Sequence, residues 1–493
     1  MTRSIRRKHV DPNPLRNLEG HGRPITRREL LGRGFISGGA MIAGPSLMGF
    51  FGREAYAQVE CNVAANPVGS LPFICLDLAG GANIAGGNVM VGGPGGQLDA
   101  LTEAGYRAPL GLAPNTFDQV DATMGLVWQA DSQMLAGMRQ TASADTLSRV
   151  NGSILCTRSD NDTGNNPHNP MYGINKAGGD GELVSLIGTE NSESGGRSQA
   201  PAYMVDPAKL PTKVDRPSDA TALVDAGRLG EILAAAGDST ALYDALERLA
   251  KMKLDRATEA QMVKELMGCS YTESKASLAR FSDPTALDPL ADPLINNGIF
   301  TAAELANSRD NYVRKTASVM KLVVEGFAGA GTVEVGGYDY HTGNRTTGET
   351  RDLEAGRAIG AMLEYAALKN TQLMVYVFSD GSVFSNGNLD NNAGGKGVWT
   401  GDRSTTAASL ILAYSPVARP TAILPQVGHY NPDGFINRTA SPISDNVPLL
   451  VEAVVLNYLA LSGSPGMFEQ IFPQSGLGSG AALDAHIAFA PLA

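Results

Sequence analysis

Histidine and cysteine are scarce in this chain, with six of the first and four of the second in 493 residues. None of the spacings among Cys61, Cys75, Cys156 and Cys269 is C-x-x-C, which argues against a zinc knuckle or a dithiol redox motif. Outside the cytoplasm four cysteines allow up to two disulfides in three connectivities. Cys75 and Cys156 lie inside apolar runs that equally suit buried thiols. The glycine-rich "GPGG" (93–96) has no Walker lysine, so it does not read as a nucleotide cradle, and "SDGS" (379–382) lacks the G-x-S-x-G setting of a serine hydrolase. "DNDTGN" (160–165) has its glycine one place early for a calcium loop and no closing glutamate, so a solvated turn is the better reading. Only 18% of residues are charged against 43% apolar, which excludes a disordered chain and permits a large core.

Beyond Phe51 no apolar run is long enough to cross a bilayer. The first 57 residues differ from the rest. They hold ten of the 39 Lys and Arg and four of the 50 Asp and Glu, leaving 29 basic against 46 acidic residues downstream. Arg27 and Arg28 form a twin-arginine pair, a glycine-diluted apolar stretch runs from Gly34 to Phe51, and "AYA" follows. Basic region, apolar region and small-residue cleavage site in that order predict a Tat-type export signal over 1–57, cut after Ala57. The protein is therefore expected to meet the Tat export machinery, to work in the periplasm or outside the cell, and to keep no integral membrane segment once the signal is cut. The acidic remainder repels nucleic acid and anionic lipid, so neither is expected as a partner.

Short apolar runs bounded by turn residues recur at "LPFICLDLAGGAN" (71–83), "GSILCTRSD" (152–160), "GTVEV" (331–335), "LMVYVFSDG" (373–381) and "ASLILAYSP" (408–416). They suit buried strands of a mostly parallel sheet covered on both faces. Helical periodicity marks 349–370, and 446–463 follows an N-cap candidate at Asp445 or Asn446. A helix is also expected from "MYGINKAG" (171–178). The fold class predicted is α/β: a mostly parallel central sheet flanked by helices over 58–493, with a helical insertion at 218–330. The Gly/Ser/Ala-rich tail, 464–493, is expected to drape over the surface, and His486 to be exposed on it.

Candidate chemistry gathers where the strands end. "GGYDYHTGN" (336–344) sets Asp339 and His341 two residues apart, on one face of a strand that is running out. A carboxylate and an imidazole converging there are half of a metal site, or a hydrogen-bonded pair that fixes a loop. His168 follows the strand at 152–158, Asp380 ends the strand at 373–379, and Asp77 or Asn83 closes the first. In open α/β sheets that edge is where ligands bind. His429, between Gly428 and Tyr430, reads as a loop residue, with a metal ligand as the alternative.

In order along the chain stand Gly80-Gly81-Ala82-Asn83, Pro167-His168-Asn169, Gly337-Tyr338-Asp339-Tyr340-His341, Ser379-Asp380-Gly381 and Gly394-Gly395-Lys396-Gly397-Val398-Trp399. Together with the Tat-type signal, this series resembles the exported family designated DUF1501, within the alkaline phosphatase/sulfatase-like superfamily. The family pattern there is G-G-x-D-G, S-H-F, G-W-D-x-H, S-E-F-G-R and G-G-x-D-H-W. Asn83, Pro167, Gly397 and Val398 depart from it. The resemblance implies an alkaline-phosphatase-like fold and hydrolysis of phosphate or sulfate esters with a divalent metal ion, zinc, manganese or calcium. The metal would be held by Asp339, His341, Asp380 and His168, with Asp402 as a further ligand. His168 would serve as ligand or acid, a metal-bound water or a Thr163 hydroxyl as the nucleophile, and Arg403 would neutralise a small anionic ester. The departures imply the alternative, a degenerate relative that binds an envelope component or assists cell-envelope assembly.

Overall fold

The structure, a computed structural model, describes residues 71–159, 166–224, 284–307, 311–339 and 345–492, together with Arg248. The expected signal at 1–57, Cys61, Cys269, Thr163, His341 and most of the expected insertion fall outside these residues. Apart from Arg248 the described elements belong to one compact unit, Ala64–Asp225 with Asp283–Ala493.

Twelve strands are described: β1 (Phe73–Ala79), β2 (Val120–Asp121), β3 (Trp128–Gln129), β4 (Val150–Leu155), β5 (Val184–Gly188), β6 (Thr212–Lys213), β7 (Ala328–Gly336), β8 (Leu373–Ser379), β9 (Val383–Asp390), β10 (Lys396–Asp402), β11 (Ser409–Tyr414) and β12 (Gln426–Val427). Eight of them form one sheet in the order β12-β4-β11-β8-β1-β7-β5-β6. It is a mostly parallel α/β sheet, as the apolar runs predict. The exception is β11, which is antiparallel to both β4 and β8, so the strand expected at 408–416 runs against its neighbours. β1, β8 and β11 are buried along their whole length, which is why they read as continuous apolar runs rather than as alternating patterns.

Helices cover both faces. α1 (Gln133–Thr141), α2 (Met171–Lys176), α3 (Asn311–Val324), α4 (Arg345–Leu368) and α5 (Val447–Leu461) are the main ones. Phe73, Cys75, Tyr376 and Phe378 point to the face covered by α2 and α5. On the other side α3 and α4 pack on the sheet, and α1 packs on α4. α5 is apolar nearly all round because it is enclosed: the sheet lies on one side and Phe468, Phe472, Leu477, Leu483 and Phe489 of the tail on the other. The tail is thus part of the core rather than a drape over the surface. His486 is buried with it, its carbonyl accepting from Asn457 Nδ2. The cap of α5 is Asn446, whose side chain accepts from Leu449 N at 3.0 Å.

Within the stretch 218–330, the described residues include α3 and the start of β7, both packed into the sheet unit. The glycine-rich segment at 394–399 runs from a left-handed turn into β10, which pairs with β9 as a hairpin. Cys75 and Cys156 are buried free thiols.

Candidate functional site

β1 and β7 run parallel to β8, and β4, antiparallel to β11, runs the same way. Their carboxyl ends therefore share one edge of the sheet. At that edge β1 gives way to Gly80 and Gly81, with φ of +123° and +112°. An added Cβ on Gly80 would stand 2.5 Å from Asp339 N, so only glycine lets the chain after β7 close on the end of β1. Gly80 N donates to Asp380 Oδ1 at 2.7 Å, and Ala82 N donates to Ser379 Oγ at 2.8 Å. Asp380 is fully buried, whereas Asp339 is exposed. The Asp380 side chain after β8 is thus fastened to Gly80, while the 337–339 segment closes against that glycine and is held by Tyr338 N donating to Ala79 O at 3.1 Å.

The loop carrying His168 docks here as well. Asn166 Nδ2 donates to the carbonyl of Asp380. Asn169 Nδ2 donates to Ser194 O at 3.1 Å and to Thr332 Oγ1 at 3.0 Å, and its Oδ1 accepts from Met171 N. Between these two anchors the His168 ring stacks on Phe378, with centroids 6.0 Å apart and planes 8° from parallel. The ring is only 2% exposed, and neither nitrogen has a hydrogen-bond partner among the described residues. Burial drives its pKa down to about 3, so the imidazole is neutral at any working pH. A buried imidazole with two idle nitrogens is costly, and such sites commonly complete themselves with a water, an ion or a ligand.

Asp77 lies on the same face of β1, two residues before the strand ends. Its Oδ1 accepts from Ser198 Oγ at 2.9 Å and its Oδ2 from Ser198 N at 2.8 Å. Burial, then the nearby Asp380 carboxylate, push its pKa up to about 7, while the Ser198 bonds oppose the shift. Asp77 therefore exchanges its proton near neutrality. Beside it in register, Glu334 on β7 is raised to about 7 as well, mainly by burial, against the attraction of Lys315.

Asp402 and Arg403 belong to the hairpin. Asp402, exposed, pairs with Val383, and Arg403 N donates to Ser382 O at 2.9 Å. The hairpin is seated on neighbouring structure: Gly397 N donates to Gly111 O at 2.9 Å, and Lys396 Nζ reaches Glu349 Oε2 on α4 at 2.8 Å. Trp399 is buried beneath the Arg345 guanidinium, 4.1 Å from its ring centroid. Asn83 donates to Val383 O at 3.3 Å, and its buried Oδ1 has no partner among the described residues.

Of the predicted site residues, His168, Asp380 and the backbone of Asp339 come together at the ends of β1 and β8. Asp402 and Arg403 sit on the adjoining hairpin. His341 and Thr163 lie outside the described residues. Asp380 and His168 are donors of the right type for a divalent cation, but among the described residues no three His, Cys, Asp or Glu side chains form a group able to hold one. A metal centre here needs a further donor from beyond them. Ser198, Asn166 and Asn169 were not legible as site residues. The one signal in the sequence was the polar run "NNPHNP" around His168. His429, as expected, is a loop residue, its Nε2 3.1 Å from Asn437 Nδ2. No protein-family model matches the chain, and no curated protein matches it.

Proposed function

We propose that this is an exported protein resembling the alkaline phosphatase-like DUF1501 family, and that the carboxyl edge of its sheet hydrolyses a phosphate or sulfate ester with one divalent cation. The observation that carries this reading is the His168 imidazole, buried, neutral and unpartnered among the described residues, in the same loop as Asn166, which is bonded to Asp380. Asp380 and His168 would hold the cation, with His341, Asp339 and Asp402 as the further donors that the sequence offers. A bound cation supplies Lewis acidity and an acidified water at neutral pH. The chain's own part is positional. Gly80 N–H fixes one Asp380 oxygen, Asn166 and Asn169 anchor both sides of His168, and Phe378 orients its ring. Asp77, with its pKa near 7, can take up or release a proton next to Asp380.

A second reading, a non-catalytic relative that binds an envelope component, is favoured by a different observation. The β9–β10 hairpin is seated on residue 111 and on α4 beside Asn83, and Asn83, Pro167, Gly397 and Val398 stand where the family pattern has polar groups. One experiment separates the two. Purified mature protein is analysed for zinc, manganese and calcium and assayed on aryl phosphate and aryl sulfate esters, beside Asp380→Asn. The hydrolase reading expects about one bound ion per chain and turnover that falls at least about a hundredfold in the variant. A folded, metal-free and inert wild type would overturn it and leave the binding reading.

A further inference from the structure

A depression of about 490 Å3 lies beside the hairpin, with Ala104, Ala108, Pro109, Phe384, Pro432 and Phe435 among its walls. That volume falls within the range of small-molecule sites. Arg403 stands at its edge, the guanidinium carbon 5.6 Å from the Phe384 ring centroid and 4.8 Å from that of Phe435. Stacking on two rings fixes where the cation sits but does not neutralise it. Its Nε makes one long bond, 3.4 Å, to Thr405 Oγ1, and among the described residues no carboxylate forms an ion pair with it. In a chain with 50 acidic residues against 39 basic ones, this arginine keeps its positive charge available next to an apolar wall. Asp433 also lines the depression, which favours a ligand charged at one end only.

We propose that this depression binds a small aryl anion, an aromatic ring bearing a single sulfonate, sulfate, carboxylate or phosphate group. The ring lies against Phe384 and Phe435, and the anionic group is held by the in-plane N–H donors of Arg403. This site is independent of whether Asp380 and His168 support turnover, so its failure and the failure of the hydrolase reading are separate events.

The test uses a matched pair of fluorescent probes on the mature protein, 8-anilinonaphthalene-1-sulfonate and its uncharged counterpart N-phenyl-1-naphthylamine. Wild type should bind one equivalent of the sulfonate saturably. Arg403→Gln should weaken the sulfonate about tenfold, the worth of one charge-assisted contact, and leave the neutral probe unchanged. Ala104→Trp, at an exposed wall position, should fill the depression and weaken both probes. Circular dichroism and the urea midpoint verify that each variant is folded; both positions are exposed. The proposal is overturned if wild type does not bind the sulfonate, if Arg403→Gln leaves its affinity unchanged or weakens both probes alike, or if Ala104→Trp affects neither.

Discussion

Replacing Gly356 by alanine should destabilise the protein, although alanine is the better helix former. Gly356 lies within α4, where that helix crosses α1. A methyl group there would stand 2.0 Å from Met134 O and within 2.9 Å of Met134 Cα, more than an ångström inside ordinary contact with the oxygen. The obstacle is backbone, so no rotamer change relieves it. Nor can the helices pivot about one point. A Cβ on Gly137 of α1 would meet Leu353 O at 2.2 Å, and one on Gly360 would meet Met138 O at 2.5 Å. Three close approaches along one seam require the whole of α1 to move outward. Overpacking of this kind costs up to about 3 kcal/mol, and the alanine returns about 1 kcal/mol of helix propensity. The net expectation is a loss of about 2 kcal/mol, read as a lower urea midpoint with unchanged slope. Gly466→Ala, where an added methyl meets nothing within 4 Å, serves as the control and should stay near wild type. A Gly356→Ala midpoint at or above that of wild type would refute the claim that the two helices touch through their backbones.

Asp77 is protonated more readily when folded, its pKa rising from 3.8 to about 7, so its contribution to stability is full below pH 4 and is lost as the pH rises through 7. Asp77→Asn should therefore flatten the decline in stability between pH 4 and 8, measured as urea midpoints across that range; an unchanged slope would show that Asp77 is not the group responsible. Lys321 is buried between Asp292 and Glu325, 2.9 Å from each, and the Tyr365 hydroxyl, with one proton to donate, lies within hydrogen-bond reach of both acids. Lys321→Met should cost about 3 kcal/mol, because Asp292 stays buried with Lys369 no nearer than 3.8 Å; equal midpoints for variant and wild type would mean that the remaining partners suffice.

The strands at 73–79, 150–155, 328–336, 373–379 and 409–414 were legible because a strand buried on both faces must be apolar throughout, and turn residues mark where it stops. β5 and β6 were missed: β5 is only partly buried at its start, and β6 has two residues, too short for any pattern. The tail was misread because Gly, Ser and Ala suggest an exposed drape, whereas its few large residues, Phe468, Phe472 and Phe489, are the ones that fasten it to α5. The β9–β10 hairpin was hidden by its glycines. Asp380 and His168 were legible as candidates because both follow strands that end on one edge. Ser198 and Asn169 were not, because their partners lie 121 and 163 residues away.

By itself the sequence determined the α/β class, the main buried strands and the edge at which chemistry is to be sought, since those follow from local apolar patterning and from where each run ends. Only the tertiary structure decided that β11 runs against its neighbours, that Gly80 bonds Asp380 and leaves room for the segment of Asp339 to close against it, and that His168 is buried without a partner among the described residues. Strand direction, close backbone approach and desolvation all arise between segments remote in sequence, so no local pattern records them.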